Sequence, residues 1–150
     1  MTALRPASSA DLDEIMVIEN TVFGLEAWSR QGFQAELESD FGNYLVAVDD
    51  DGAVIGYVGL RVVPGSGDGD IQTLAVAQTA RGRGLGRGLL EAAHERAAEL
   101  GVRQMFLDVR VDNAVAQSLY RSLGYEVVGT RPGYYQPSNT DAYTMKATLR

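Results

Sequence analysis

The stretch Leu74 to Ala97, LAVAQTARGRGLGRGLLEAAHERA, constrains the fold more than any other part of the chain. A short apolar run ends, an Arg- and Gly-rich loop follows, and an Ala/Leu-rich helix begins at once. This is a strand feeding a helix N-terminus through Arg81-Gly82-Arg83-Gly84-Leu85-Gly86. Glycines let backbone amides approach a ligand that a side chain would hold off. The first turn of a helix leaves N–H groups unpaired and carries a partial positive charge. Together these features form a cradle for a pyrophosphate, with Arg81, Arg83 and Arg87 close by.

Two familiar phosphate loops do not fit. A Walker loop needs Lys and then Ser or Thr after its last Gly, whereas Gly86 is followed by Arg87 and Gly88. A dinucleotide fingerprint needs GxGxxG, and Gly82, Gly84 and Gly86 give GxGxG. The pattern left is Arg81-x-x-Gly84-x-Gly86. Taken alone, it is matched equally by a Gly-rich connection with solvated arginines.

The chain has 150 residues, enough for one core that buries roughly 70% of the unfolded surface. We expect a single domain over residues 1–150. With no cysteine, disulfides and thiolate metal sites are excluded. A single histidine, His94, argues against a histidine-based metal centre, and no metal is expected. The N-terminal MTALRPASSADLDE lacks a basic-then-apolar leader pattern, and no apolar run reaches membrane-spanning length. A cytoplasmic protein with no membrane partner is the expectation. The net charge of −7 argues against nucleic-acid binding and suits a basic partner. All but one of the 13 Lys and Arg residues are Arg, which reflects genome composition more than function.

Leu4 to Ala7 reads as a first strand. Ser8-x-x-Asp11 is a capping box opening a helix from about Ser9 to Val22, with Leu12, Ile15, Ile18 or Glu19, and Val22 at helical spacing. Gly24 stops it. A second helix spans Ser29 to Glu38. Strands follow at Tyr44 to Val48 and Ala53 to Val63, joined by an Asp51-Gly52 turn. After the loop Pro64 to Gly69, Asp70 to Val76 is a strand. The long helix from Leu85 to Leu100 ends at Gly101. Gln104 to Val109 is a strand, and Asn113 caps a helix from Ala114 to Leu123 closed by Gly124. Tyr125 to Gly129 and Ala142 to Leu149 complete the order. The result is an α/β mixed sheet with helices on both faces.

The segment Leu107 to Gly129, LDVRVDNAVAQSLYRSLGYEVVG, lies one helix and one strand beyond the Arg/Gly loop. Asn-Ala…Tyr-x-x-x-Gly-Tyr together with Arg81-x-x-Gly84-x-Gly86 resembles the GNAT superfamily of N-acetyltransferases. Trp28-Ser29, Leu107-Asp108-Val109-Arg110 and Tyr134-Tyr135 narrow the resemblance to the RimI family, from Leu4 to Leu149. The resemblance implies a twisted, mostly antiparallel sheet of about seven strands whose two central parallel strands, Ile71–Val76 and Gln104–Val109, splay apart. It also implies acetyl-CoA as cosubstrate and a protein N-terminus, that of a basic ribosomal protein, as acceptor. It leaves the oligomeric state open.

The chemistry sets its own demands. An α-amino group has a pKa of about 7.7–8.0 and is mostly protonated at pH 7, so a base must take its proton before it attacks an acyl group. The departing thiolate gains from an acid. Each proton transfer is worth roughly 10²–10⁴-fold. The resemblance assigns Asp108 as base, where the family has Glu, and Tyr120 as acid. One methylene shorter, Asp108 suits a water relay, or else it simply pairs with Arg110 or Arg103. Tyr120 read without the motif is a core residue beside Ala116 and Leu123. Pantetheine is expected along Leu74, Ala75 and Val76, where the family's Asn is Thr73. An N–H near Val76 is then placed to hold the developing oxyanion. The pyrophosphate is expected on Arg81, Gly82, Arg83, Gly84, Leu85, Gly86 and Arg87, with Asn113 contributing as cap and ligand. Leu25, Trp28, Tyr134 and Tyr135 border the expected acceptor groove. Trp28 reads equally as core, and the Tyr pair equally as an ordered loop. Glu26 and Asp141 read as solvated surface acids ahead of contacts for a substrate amine, and His94 as structural. Acetylation of lysines or small amines, and a non-catalytic acyl-CoA-binding role, are the competing readings.

Overall fold

The computed structural model describes residues 2–149. Seven strands form one sheet in the order β1-β2-β3-β4-β5-β7-β6. They are β1 (Ala3–Pro6), β2 (Gly42–Val48), β3 (Val54–Val62), β4 (Asp68–Val76), β5 (Gln104–Arg110), β6 (Glu126–Tyr135) and β7 (Thr140–Thr148). Every neighbouring pair is antiparallel except β4 and β5. The helices are α1 (Leu12–Phe23), α2 (Arg30–Glu38), α3 (Leu85–Glu99) and α4 (Ala114–Ser122).

Two apolar clusters make the core, one on each side of the sheet. Leu12, Ile15, Met16 and Ile18 of α1 and Phe33 of α2 pack on Tyr44, Val46, Tyr57 and Ala75. Leu89, Leu90, Ala93 and Ala97 of α3, with Tyr120 of α4, pack on Val58, Leu60, Met105 and Leu107. Alternation along the strands sends successive side chains to opposite clusters.

Helix ends follow their local chemistry. The Asp11 carboxylate accepts the Ser8 N–H at 2.8 Å and a two-pronged bond from Arg5 at 2.7 and 2.9 Å, fixing the short 3-10 turn that leads into α1. Ser29 accepts the Gly32 N–H and Asn113 the Ala116 N–H, capping α2 and α4.

The structure departs from the sequence reading at strand ends. β4 begins two residues earlier, at Asp68, because it pairs with β5 from Asp68↔Gln104 onward. β6 runs to Tyr135 rather than stopping at Gly129. Its pairing with β7 breaks between Arg131 and Tyr135, around Pro132, and an edge strand tolerates a missing N–H there. Tyr134-Tyr135 therefore ends a strand rather than sitting in a free loop.

Candidate active site

The site begins where the sheet opens. β4 and β5 pair only from Asp68↔Gln104 to Ile71↔Leu107. β4 runs on to Val76 and β5 to Arg110 without a partner between them. A bulge sits at the parting: β3 pairs Gly59 with Thr73 and Leu60 with Ile71, so Gln72 has no opposite residue. The Tyr44 hydroxyl donates to Gln72 Oε1 at 2.8 Å and holds the bulge. Ala77 donates its N–H to Ile55 O. By the two-residue alternation, the amides of Leu74 and Val76 face the gap. A cleft of about 540 Å³ fills it, lined in part by Leu74, Ala75 and Val76.

At one end of this cleft lies the Arg/Gly loop. Gly82 and Gly84 adopt φ of +82° and +73°, which L side chains rarely take. Gly84 precedes the first residue of α3. Among the described residues, the backbone N–H groups from Gly82 to Arg87 donate to nothing, while the next, Gly88, bonds Gly84 O. A run of orphaned donors at a helix N-terminus fits an anionic diphosphate. Arg81 and Gly86 line the cleft. The arginine side chains are turned back onto the protein: Arg81 Nε to Val76 O, Arg83 to Thr79 O, and Arg87 to the Ser122 hydroxyl at 2.6 Å. Each of these bonds uses one nitrogen of its guanidinium group.

Tyr120 and Asn113, both of the α4 segment, line the same cleft. Burial pushes the Tyr120 hydroxyl up to about 12. The residue is 8% exposed, and among the described residues its oxygen has no hydrogen-bond partner, yet it is not sealed from the cleft. An unpartnered hydroxyl that stays protonated at neutral pH is suited to donate. Gln117 ties α4 to the end of β5 through bonds to Arg110 O and Val111 O.

Asp108 stands between two cavities. It lines the first cleft and also a neighbouring pocket of about 340 Å³ with Trp28, Asp70, Tyr134 and Tyr135. Its Oδ1 accepts from the Thr144 hydroxyl at 2.6 Å and from Arg131 Nε at 3.2 Å. The arginine beside Asp108 is thus Arg131, reached across β6 and β7, and neither Arg110 nor Arg103. Oδ2 has no bond to the described residues.

The remaining candidates divide. The Trp28 ring packs on Phe33 at 5.3 Å and also lines both cavities, so it is core and wall at once. Tyr135 lines both cavities and Tyr134 the second, their rings edge to face at 5.1 Å. Leu25 is 87% exposed and lines neither. Glu26 is no solvated acid: it pairs with Arg110 and accepts from the Ser138 hydroxyl. Asp141 accepts the Gly133 N–H at 2.8 Å, a structural bond. His94 bonds the Tyr125 hydroxyl at 2.7 Å, and Tyr125 in turn packs against the Tyr120 ring. Burial lowers the His94 pKa. Glu19 was read from spacing only as a possible stripe position. It is 2% exposed and lines the cleft. Its neighbours at i−3 and i+3 are Met16 and Val22, and a carboxylate among such neighbours was the available signal.

A split sheet with an amide cradle at one end and a Tyr/Asp pair along it defines an enzyme that moves an activated acyl group. The acetyltransferase (GNAT) family profile matches residues 11–125, and the chain belongs to that family. An N-alpha-acetyltransferase RimI of Mycobacterium tuberculosis is 37% identical over 142 residues, 91% of this chain and 86% of that protein. The crystal structure of a ribosomal-protein alanine N-acetyltransferase from Escherichia coli superposes with TM-score 0.89 at 26% identity, covering 99% of this chain and 94% of the other. That of a ribosomal-protein-alanine N-acetyltransferase from Brucella melitensis gives 0.82 at 28%, covering 98% and 99%.

Proposed function

We propose that this chain, acting as one domain, transfers an acetyl group from acetyl-CoA to the α-amino group at a protein N-terminus, in the class of ribosomal proteins that its relatives are named for. The observation that carries this is the cleft itself, which runs from Arg81 and Gly86, at the loop of orphaned amides, to Asp108. When bound, acetyl-CoA supplies an activated acyl carbon. The orphaned amides hold its diphosphate, and the unpaired edge of β4 beyond Ile71 takes the pantetheine as a further strand would.

The chain's own residues then do three things. The Val76 N–H, facing the gap, stabilises negative charge growing on the carbonyl oxygen. Asp108 Oδ2, without a bond to the described residues, accepts the amine proton through a water, while Thr144 and Arg131 fix its other oxygen. Tyr120 gives its proton to the departing sulfur. In balance, starting from the ammonium form, the nitrogen loses one proton before attack and a second as the adduct collapses; the N–C bond forms, the C–S bond breaks, one proton reaches the thiolate and one passes to solvent. The pocket with Trp28, Tyr134 and Tyr135 holds the acceptor backbone.

Incubation with acetyl-CoA and a panel of N-terminal peptides, N-blocked lysine peptides and free amines, with mass-spectrometric mapping of the acetylated nitrogen, tests this. Acetylation confined to α-amino groups of peptides is expected. Acetylation of lysine side chains or small amines alone, or no transfer with CoA bound, refutes it.

A further inference from the structure

Glu19 is the most buried acid of the chain and lacks any cationic partner among the described residues. Its Oε2 accepts the Trp28 N–H at 2.9 Å and its Oε1 the Tyr57 hydroxyl at 2.6 Å. These bonds close a circuit. The Trp28 ring packs on Phe33 at 5.3 Å, Phe33 meets the Tyr57 ring edge-on at 5.5 Å, and the Tyr57 hydroxyl returns to Glu19. One carboxyl therefore joins α1, the loop before α2, α2 itself and β3.

A buried carboxyl is a poor way to stabilise a fold. Even a buried ion pair is often no better for stability than apolar side chains of similar volume, and Glu19 lacks the attraction of a cationic partner. Glu19 instead gives an acceptor to a loop N–H that has no secondary structure to satisfy it. Departures of this kind from the core rule cluster at functional sites. Here the loop so fixed carries Trp28, a wall of both cavities.

We propose that Glu19 is a positioning residue for the acceptor: it pins the Trp28 wall to the sheet, so that acceptor binding, rather than CoA binding, depends on it. This rests on the acetyl-transfer reading. Glu19 and Trp28 share the cleft with the CoA site, but the orphaned amides that hold its diphosphate lie on α3 and its loop, outside the circuit.

Glu19→Met keeps the volume and removes both acceptors. Because Trp28 is the sole tryptophan, its fluorescence reports the wall directly. In Glu19→Met, acrylamide quenching of Trp28 is expected to rise and acceptor-peptide KM to increase about tenfold, the equivalent of about 1.4 kcal/mol. Acetyl-CoA KM is expected to stay within twofold, and Tm to fall by a few degrees at most, because the loosened wall lets water reach the freed Trp28 N–H. Glu19→Gln restores most of the wall, since its amide oxygen accepts from Trp28 while its NH₂ donates to a rotated Tyr57 hydroxyl. Tyr57→Phe gives a smaller change in the same direction and stands in if Glu19→Met does not fold. Unchanged quenching and acceptor KM in Glu19→Met, or in Tyr57→Phe if that stands in, overturns the proposal. So does an equal loss of acetyl-CoA affinity. Wild-type protein that acetylates no peptide overturns the acetyl-transfer reading instead, and the quenching result is readable without any acceptor.

Discussion

Gly84 offers a separation of fold strain from ligand electrostatics. It has φ of +73° and an open surface: a Cβ built there meets nothing within 4 Å. A side chain at this position therefore causes no clash, only the conformational cost of the left-handed region, about 1–2 kcal/mol for most residues and less for Asn or Asp. For a chain of this size that corresponds to about 2–4 °C of Tm per kcal/mol. Gly84→Asn and Gly84→Asp should thus melt within a few degrees of each other. Their CoA affinities should differ sharply. A carboxylate about 4 Å from a phosphate charge costs about 1 kcal/mol in water and about 4 kcal/mol at an effective dielectric of 20. Gly84 is exposed, which favours the lower end. The Asp variant is expected to bind CoA roughly five- to thirtyfold more weakly than the Asn variant by calorimetry, the equivalent of about 1–2 kcal/mol, with the gap narrowing in high salt. Equal affinities for the two variants would refute the placement of the diphosphate on this loop.

Tyr120→Phe deletes a hydroxyl that has no partner among the described residues, so Tm and CoA affinity should hold while kcat falls by roughly 10²–10⁴-fold; unchanged turnover removes Tyr120 as acid. Asp108→Asn should cut kcat most near neutral pH and recover partly at high pH, where the acceptor amine is already neutral; a flat pH profile of the loss counts against the base role. Asp11→Ala should lower stability by about 1 kcal/mol. The Arg5 guanidinium holds the Asp11 carboxyl below its usual range. That contribution is therefore complete above the unfolded value of about 4 and lost as pH falls through the lower folded value. Wild type and variant that differ equally at pH 2 and pH 7 in urea melts would contradict it. Glu19 has the opposite sign, since burial raises its pKa: wild-type stability falls as pH rises through the folded value, so any stability advantage of Glu19→Met should emerge above that pH and vanish below about 4.

How much was legible in the sequence follows from how local each signal is. The Arg81–Gly86 loop, the Asn113 cap and the Gly-terminated helices are short-range chemistry and lie where the sequence puts them. The parting of β4 and β5 follows the family resemblance, but the bulge at Gln72 that accompanies it has no signature in a strand reading Asp-Ile-Gln-Thr-Leu. Arg131 reaches Asp108 only because β7 inserts between β5 and β6 in the sheet order, a pairing across 23 residues that no local pattern encodes. Glu26 looked solvated because its partner Arg110 is 84 residues away. Glu19 fell beside Ile18 in a helical stripe that either residue satisfied, and both are buried.

The short β4–β5 ladder has a mechanical consequence. It divides the sheet into a half of β1 to β4 and a half of β5, β7 and β6, stitched by the register from Asp68↔Gln104 to Ile71↔Leu107. Beyond that seam the two halves have free edges facing one another. A ligand strand laid between them acts as mortar: it binds only when both edges are in place and so couples the halves. Amide exchange along the facing edges of β4 and β5 should then slow when the ligand binds and quicken again when it leaves.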